Sequence, residues 1–282
     1  MEKDHMLPGR RTVLRIAACT AAAAAPLFAP ERPRTPLRPT AAPPAAGPEA
    51  AGAAGAGAGS DASAYRLRPM TAFEPAGLTR ARPAVRQRPL LSLPALGHSV
   101  VLTFDDGPDR RYTPDILKIL REHRARAMFF VCGEMAVRGG DLLRAMADEG
   151  HIVGNHSWSH PLVPRLAPSR IRDELGRTSE IIERSTGSAP RWYRAPYGAW
   201  NRLSFEIGAE LGMEPLAWTV DTLDWREPGT GSIVARVMAG ARPGAVVLSH
   251  DAGGDRSQSV AALRRYLPRL LEAGYGIGVP AR

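Results

Sequence analysis

The chain has almost no cysteine: Cys19 and Cys132 are the two it contains. The stretch after residue 100 therefore holds no internal disulfide. Cys132, following Phe129-Phe130-Val131, reads as a small apolar residue at a strand end. Lysine is nearly missing as well, since Lys3 and Lys118 are the only lysines among 37 basic residues. Aromatic residues make up 6%, and no basic face interleaved with aromatic platforms is visible, which excludes nucleic-acid binding. Long apolar runs are lacking too. The longest, Ile16 to Phe28, falls short of the roughly 20 residues that span a bilayer, so no stable membrane insertion of the mature form is expected. Even the net charge of +9 does not mark a basic fold. Residues 1–99 hold 13 basic and 6 acidic side chains, whereas the rest hold 24 and 22, so the excess sits upstream of the globular part.

What the N-terminus does carry is an address. Arg10-Arg11-Thr12-Val13-Leu14-Arg15 precedes the Ala-rich apolar run and resembles a twin-arginine export signal over residues 1–29. Ile16-Ala17-Ala18-Cys19 matches a lipobox in pattern, but it lies before most of the apolar stretch, which makes lipidation the weaker reading. Either reading places the protein outside the cytoplasm, secreted or associated with a cell wall. Residues 30–92 are rich in Pro, Ala, Gly and Arg. They bury too little apolar area to offset chain entropy and are expected to form a disordered linker, with residues 65–92 loose or docked. Residues 93–282 remain for one globular unit, enough for a proper core. The sequence sets no oligomeric state.

Within that unit, short apolar runs alternate with amphipathic stretches. Val100–Phe104, Ala127–Val131, His151–Gly154, Trp192–Arg194, Leu216–Val220, Ala245–Leu248 and Gly276–Val279 read as strands. Thr113-Pro114 reads as an N-cap followed by Pro at the first helical position, with Ile116, Leu117 and Leu120 on one face. A second helix runs from Ser169 through Ile182 and stops at Gly187; a third runs from about Ser259 to Ala273 and stops at Gly274. This alternation predicts an α/β fold with a parallel sheet and helices outside.

The chemistry gathers after the strands. Thr103-Phe104-Asp105-Asp106-Gly107-Pro108 puts two adjacent carboxylates at the end of an apolar run, and His156-Ser157-Trp158-Ser159-His160 puts two imidazoles four residues apart. One carboxylate and two imidazoles can hold a divalent metal with positions left open, and the second carboxylate is free to take a proton from water. Each half alone is weak: Asp-Asp-Gly-Pro is commonly a turn. Arg194-Ala195-Pro196-Tyr197, Asp221-Thr222-Leu223-Asp224-Trp225 and Leu248-Ser249-His250 follow in order.

Together the five motifs, spread over roughly residues 95–280, resemble the polysaccharide deacetylase family, carbohydrate esterase family 4 with its NodB-type homology domain. The resemblance implies a distorted (β/α) barrel, usually of seven parallel strands. It implies Asp106, His156 and His160 as metal ligands and Asp105 as general base, with Arg194 pairing Asp105. Tyr197 would stabilise the oxyanion through its backbone N–H. His250 would be the general acid, with Asp224 its partner and Asp221 a second carboxylate left open for that part. Trp225 and Leu248 would form an apolar slot for the acetyl methyl. Asn155 and Ser157 are candidates for orienting the ligands. Zinc is the first choice of metal, with cobalt, nickel or manganese as alternatives. The implied activity is removal of N-acetyl groups from a polysaccharide, peptidoglycan first and chitin-like oligomers second. An O-acetyl esterase on a xylan-like polymer and a non-catalytic carbohydrate-binding module are the competing readings.

Overall fold

The computed structural model describes residues 82–281. The export signal, the lipobox cysteine and the linker up to residue 81 lie outside the described residues. Eight strands alternate with helices: β1 (Ser99–Asp105), β2 (Met128–Val131), β3 (Ile152–Asn155), β4 (Trp192–Tyr193), β5 (Glu214–Pro215), β6 (Val220–Asp221), β7 (Val246–His250) and β8 (Gly276–Ile277). The helices are α1 (Thr113–Glu122), α2 (Gly133–Arg138), α3 (Gly140–Asp148), α4 (Pro168–Thr186), α5 (Arg202–Glu210), α6 (Thr230–Gly240) and α7 (Ser257–Glu272). Every strand pair is parallel, in the order β5-β4-β3-β2-β1-β7-β6, and β8 adds to the start of β1. The result is the expected distorted (β/α) barrel.

Side chains alternate along each strand, and this alternation decides what reaches the interior. Val100, Leu102 and Phe104 of β1 join Phe129 and Val131 of β2 and Val247 of β7 in the layer beneath the helices. Val101, Met128, Phe130, Ile152, Leu216 and Val246 fill the inside of the barrel. Asp105 keeps step with Val101 and Thr103, so it points inward at the C-terminal end of β1.

Six of the seven expected strands appear near their expected places. The fifth, Leu216–Val220, is instead broken into β5 and β6. The cause is visible in the hydrogen bonds: Arg194 takes the carbonyls of Leu216 and Ala217 at 3.0 and 2.8 Å, so these groups are not spent on a neighbouring strand. Among the described residues β5 and β6 do not pair with each other. The chain upstream of β1 bridges the gap. Leu90 N–H donates to the Pro215 carbonyl at 2.9 Å and the Leu90 carbonyl accepts from Ala217 N–H at 2.7 Å, while Leu93 N–H donates to the Gly244 carbonyl at 2.8 Å. Leu90, Leu93 and Leu96 pack into the interior cluster, and Arg86 pairs with Glu214. Contacts of the globular unit thus begin upstream of residue 93, where the composition had placed its start.

The helices follow their sequence signals in most respects. α4 ends on Gly187 in the left-handed conformation, and α7 is followed by Gly274 at φ 83°. α1 carries Pro114 in its first turn and buries Ile116, Leu117, Ile119 and Leu120. Thr113 is not its N-cap, however. Tyr112 holds that position without a side-chain bond, and the Thr113 hydroxyl accepts from Asp109 N–H at 2.8 Å and donates to Asp251 Oδ2 at 2.5 Å.

Candidate active site

A cleft of about 780 Å³ opens at the C-terminal ends of the strands, lined among others by Asp105, Asp106, His156, His160, Tyr197, Trp225 and His250. That is the face on which residues distant in sequence converge in a barrel of this kind.

Asp106, His156 and His160 each offer a ligand atom, and these atoms lie within 4.8 Å of one another. His156 and His160 Nε2 stand 3.4 and 3.3 Å from Asp106 Oδ1. That oxygen is buried and has no hydrogen-bond partner. His156 Nδ1 is held by the Arg194 carbonyl at 2.7 Å, which fixes the tautomer and leaves Nε2 with its lone pair facing the cleft. One orphaned carboxylate oxygen and two free imidazole nitrogens fit a divalent transition metal. Burial opposes ionisation of Asp106, but the adjacent His156, with His250 and His160 beyond, outweighs it and holds its carboxyl well below the usual range. Burial and the neighbouring His156 lower the His160 pKa, leaving the imidazole neutral and able to ligate.

The backbone around these residues is strained. Asp106, Ser157, His160 and Tyr197 all have positive φ, at 74°, 65°, 57° and 61°. Each such non-glycine residue costs on the order of 1–3 kcal/mol, which the surrounding structure must offset. Part of the support is close packing. A Cβ on Gly253 would lie 2.5 Å from Asp106 Oδ2, so only glycine lets that loop approach the carboxylate.

Asp105 does a different job in this geometry. Its Oδ1 accepts from Arg194 Nη1 at 2.7 Å, and its Oδ2 lies 3.8 Å from His156 Nε2. Arg194 is wholly buried and donates also to Thr103 Oγ1 at 2.8 Å, with its guanidinium over the Phe130 ring.

On β7, in register with Asp105 of the adjacent β1, His250 Nδ1 meets Asp224 Oδ1 at 2.7 Å. Asp224 Oδ2 accepts from His250 N–H at 2.9 Å and from the Ser259 hydroxyl at 2.7 Å. Burial alone would keep His250 neutral, but the hydrogen bond and charge of Asp224, aided by Asp105 and Asp106, raise its pKa to about 9. Asp221 is not the partner: its Oδ1 caps Leu223 N–H at 2.8 Å. The choice left open between Asp221 and Asp224 thus closes on Asp224.

Tyr197 and Trp225 stand on the cleft rim, 68% and 45% exposed. Tyr197 lies edge-on to His160 at 4.6 Å, and Arg226 stacks on Trp225 at 4.5 Å. Leu248 differs from its expected place. It is 4% exposed, two residues below His250 on the same face of β7, and is not among the residues that line the cleft. It supports the floor rather than forming a wall. Asn155 orders the histidine turn as expected, its Oδ1 accepting from Ser157 N–H at 2.8 Å, whereas the buried Ser157 hydroxyl has no partner. Thr103, Ser259 and Glu174 were not singled out by the sequence reading. Thr103 lies inside the first motif and was available to it. Nothing near Ser259 or Glu174 in the sequence signals a part in the site.

Comparison with known proteins identifies the same family that the five motifs resemble. The polysaccharide deacetylase family model matches residues 94–216. A chitooligosaccharide deacetylase of Bradyrhizobium sp. (strain ANU 289) is 41% identical over 191 residues, covering 64% of this chain and 87% of that protein. A peptidoglycan-N-acetylglucosamine deacetylase of Bacillus cereus is 38% identical over 176 residues, covering 62% of this chain and 64% of that protein. Among solved structures, a carbohydrate esterase family 4 pseudoenzyme from Bacillus anthracis superposes with a TM-score of 0.64 at 32% identity, over 70% of this chain and 68% of that one.

Proposed function

We propose a substrate and a division of labour for this chain, which belongs to the polysaccharide deacetylase family: it hydrolyses N-acetyl groups of N-acetylglucosamine units in a wall polymer, peptidoglycan before chitin-like oligomers. The observation that carries the reading is that a buried Asp105–Arg194 pair and a raised-pKa His250–Asp224 pair, with Asp105 and His250 in register on the adjacent strands β1 and β7, line the same cleft as the Asp106, His156, His160 cluster. A base and an acid are thereby both placed at one ligand set.

A divalent metal held by Asp106, His156 and His160, zinc before cobalt, nickel or manganese, supplies Lewis-acid polarisation of the acetyl carbonyl and lowers the pKa of water. The Asp105 carboxylate, oriented by Arg194, accepts the proton of the attacking water. The tetrahedral oxyanion is met by the Tyr197 N–H, on a left-handed turn at the cleft beside His160. His250, an imidazolium below about pH 9, gives its proton to the departing nitrogen. Trp225 closes the rim over the acetyl methyl.

An ester expels an alkoxide far more readily than an amide expels an unprotonated nitrogen anion, so a dedicated, protonated acid favours the amide substrate over acetylxylan. Unlike a binding module that keeps only the fold, this chain has a side chain at every position the chemistry needs. Export by a twin-arginine route, motivated by Arg10 and Arg11, would deliver the enzyme to such a polymer.

The test is acetate release from peptidoglycan, N-acetylglucosamine oligomers and acetylxylan, with and without chelator. Chelator-sensitive release from the first two supports the reading; release from acetylxylan alone makes the protein an esterase, and release from none makes it a binding module.

A further inference from the structure

Glu174 lies on α4, fourteen residues beyond His160 in the chain, yet its carboxylate is 3% exposed and turned away from solvent. The carboxylate's hydrogen bonds all go to the segment between the two histidines, with the exposed Arg170 Nη2 3.7 Å from Oε1. Oε2 accepts from Trp158 N–H and Ser159 N–H, each at 2.8 Å, and Oε1 accepts from the Ser159 hydroxyl at 2.8 Å. Two successive backbone N–H groups aimed at one oxygen define a tight turn, and that turn carries positive φ at both ends, at Ser157 and His160. The same face of α4 holds the other side of the segment, where Asn155 Nδ2 donates to the Leu175 carbonyl at 2.8 Å and to Ser179 Oγ at 3.0 Å. His156 has its own anchor in the Arg194 carbonyl, at 2.7 Å. Among the described residues no side-chain hydrogen bond holds the His160 ring, so beyond its ring contacts with His156 and Tyr197 its position follows from the backbone turn that Glu174 fixes.

We infer that Glu174 is a positioning residue for the metal centre: by gripping Trp158 and Ser159 it holds His160 at its ligating distance from Asp106 and so sets metal affinity. This rests on the reading of Asp106, His156 and His160 as the ligand set. Groups that orient metal ligands typically contribute about 10–100-fold in affinity. An alanine at position 174 leaves three donors without an acceptor. A glutamine keeps one neutral acceptor for the two N–H groups and turns an amide toward the Ser159 hydroxyl, which must rotate to accept.

The experiment is calorimetric titration of metal-free full-length protein with zinc, well below the melting temperature of each variant, alongside circular dichroism. Affinity should fall about 10–100-fold in Glu174→Ala and about 3–10-fold in Glu174→Gln. Thr178→Ala, which removes a hydroxyl bonded only to the Glu174 backbone carbonyl at 2.9 Å, should lower the melting midpoint with zinc affinity unchanged. Folded Glu174→Ala and Glu174→Gln that both bind zinc within twofold of wild type would reduce Glu174 to a packing role. If Glu174→Ala does not fold, Glu174→Gln decides alone: a loss of threefold or more supports the inference and a change within twofold overturns it. His160→Ala separates the two levels, because zinc binding unaltered in that variant sinks the ligand assignment itself.

Discussion

Arg194 Nη1 and Asp105 Oδ1 lie 2.7 Å apart in a wholly enclosed ion pair, the two side chains 0% and 3% exposed. The guanidinium does more than neutralise. Its remaining donors take Thr103 Oγ1 and the carbonyls of Leu216 and Ala217, so β1, β4 and the break between β5 and β6 are tied at one cation. A lysine cannot reach four acceptors on three sides. Arg194→Lys should therefore lower turnover by at least about 10²-fold, the scale of a mispositioned base. Its backbone carbonyl still anchors His156, so bound metal should stay near wild type. Metal analysis beside single-turnover kinetics checks this; equal loss of metal and rate would place Arg194 in the ligand set's support instead.

The two adjacent carboxylates should separate by metal content. Asp106→Asn, His156→Ala and His160→Ala should each lose most bound metal together with activity. Asp105→Asn should keep the metal and lose turnover, because an amide cannot accept the proton. Elemental analysis of the purified variants reads this directly. Retention in Asp106→Asn with loss in Asp105→Asn would exchange the two roles.

Much of this site was legible because its residues sit in short contiguous runs at strand ends. Period-two alternation carries Asp105 to the barrel interior, and Gly187 and Gly274 mark helix ends by a local rule. What was not legible depends on long reach. The break between β5 and β6 comes from a side chain 22 residues upstream of Leu216, and Thr113 trades its capping role for a bond to Asp251 across the fold. Leu248 looks like any apolar residue beside a cleft histidine until its depth on β7 is known. α5 has its capping box between Asn201 and Ser204, but α6 begins after Gly229 with no side-chain cap, and such helices leave a faint trace in sequence.

Asp251 adds a pH dependence. Its carboxyl is fully buried under the first motif; a Cβ on Gly107 would lie 2.2 Å from its Oδ2, and its Oδ1 has no partner. Burial, opposed by the Thr113 hydrogen bond and reinforced by Asp106 and Asp105, raises its pKa to about 7. The folded state thus holds a proton that the unfolded chain, with an ordinary carboxyl at 3.8, has released. Stability from this group is greatest at low pH and is lost as pH rises through about 7. Asp251→Asn, nearly the same shape and always neutral, should exceed wild type in melting midpoint most at pH 8, by less near pH 5, and should approach it only below the ordinary carboxyl value of 3.8. Each kcal/mol recovered moves the midpoint by about 2–4 °C in a domain of this size. A difference that does not vary with pH would mean the carboxyl does not titrate in this range.

The segment that closes the barrel between β5 and β7 should matter for folding. A chain starting at residue 93 loses Leu90 from the interior and both its backbone bonds to Pro215 and Ala217. At about 1 kcal/mol for each bond and a similar sum for the half-buried leucine, the loss is roughly 2–4 kcal/mol, or about 5–15 °C in melting midpoint, relative to a chain starting at residue 82. Thermal melts of the two truncations side by side test it. Equal midpoints would show that the barrel interior is sealed without Leu90.

His250 carries the last expectation. If it protonates the departing nitrogen, an N-acetyl substrate needs it more than an activated aryl acetate does, because an aryl oxide leaves without help. General acid catalysis typically contributes about 10²–10⁴-fold, so His250→Ala should lose that much on the amide and far less on the ester. The acid form persists up to about pH 9 because the Asp224 pairing overcomes burial, so amide turnover should fall above about pH 9. That alkaline limb should vanish in His250→Ala. It should move to lower pH in Asp224→Asn, where the raising partner is gone. Equal losses on both substrates at unchanged metal content would assign His250 to substrate binding or oxyanion stabilisation. The proton for the amine would then have to come from another group facing the cleft.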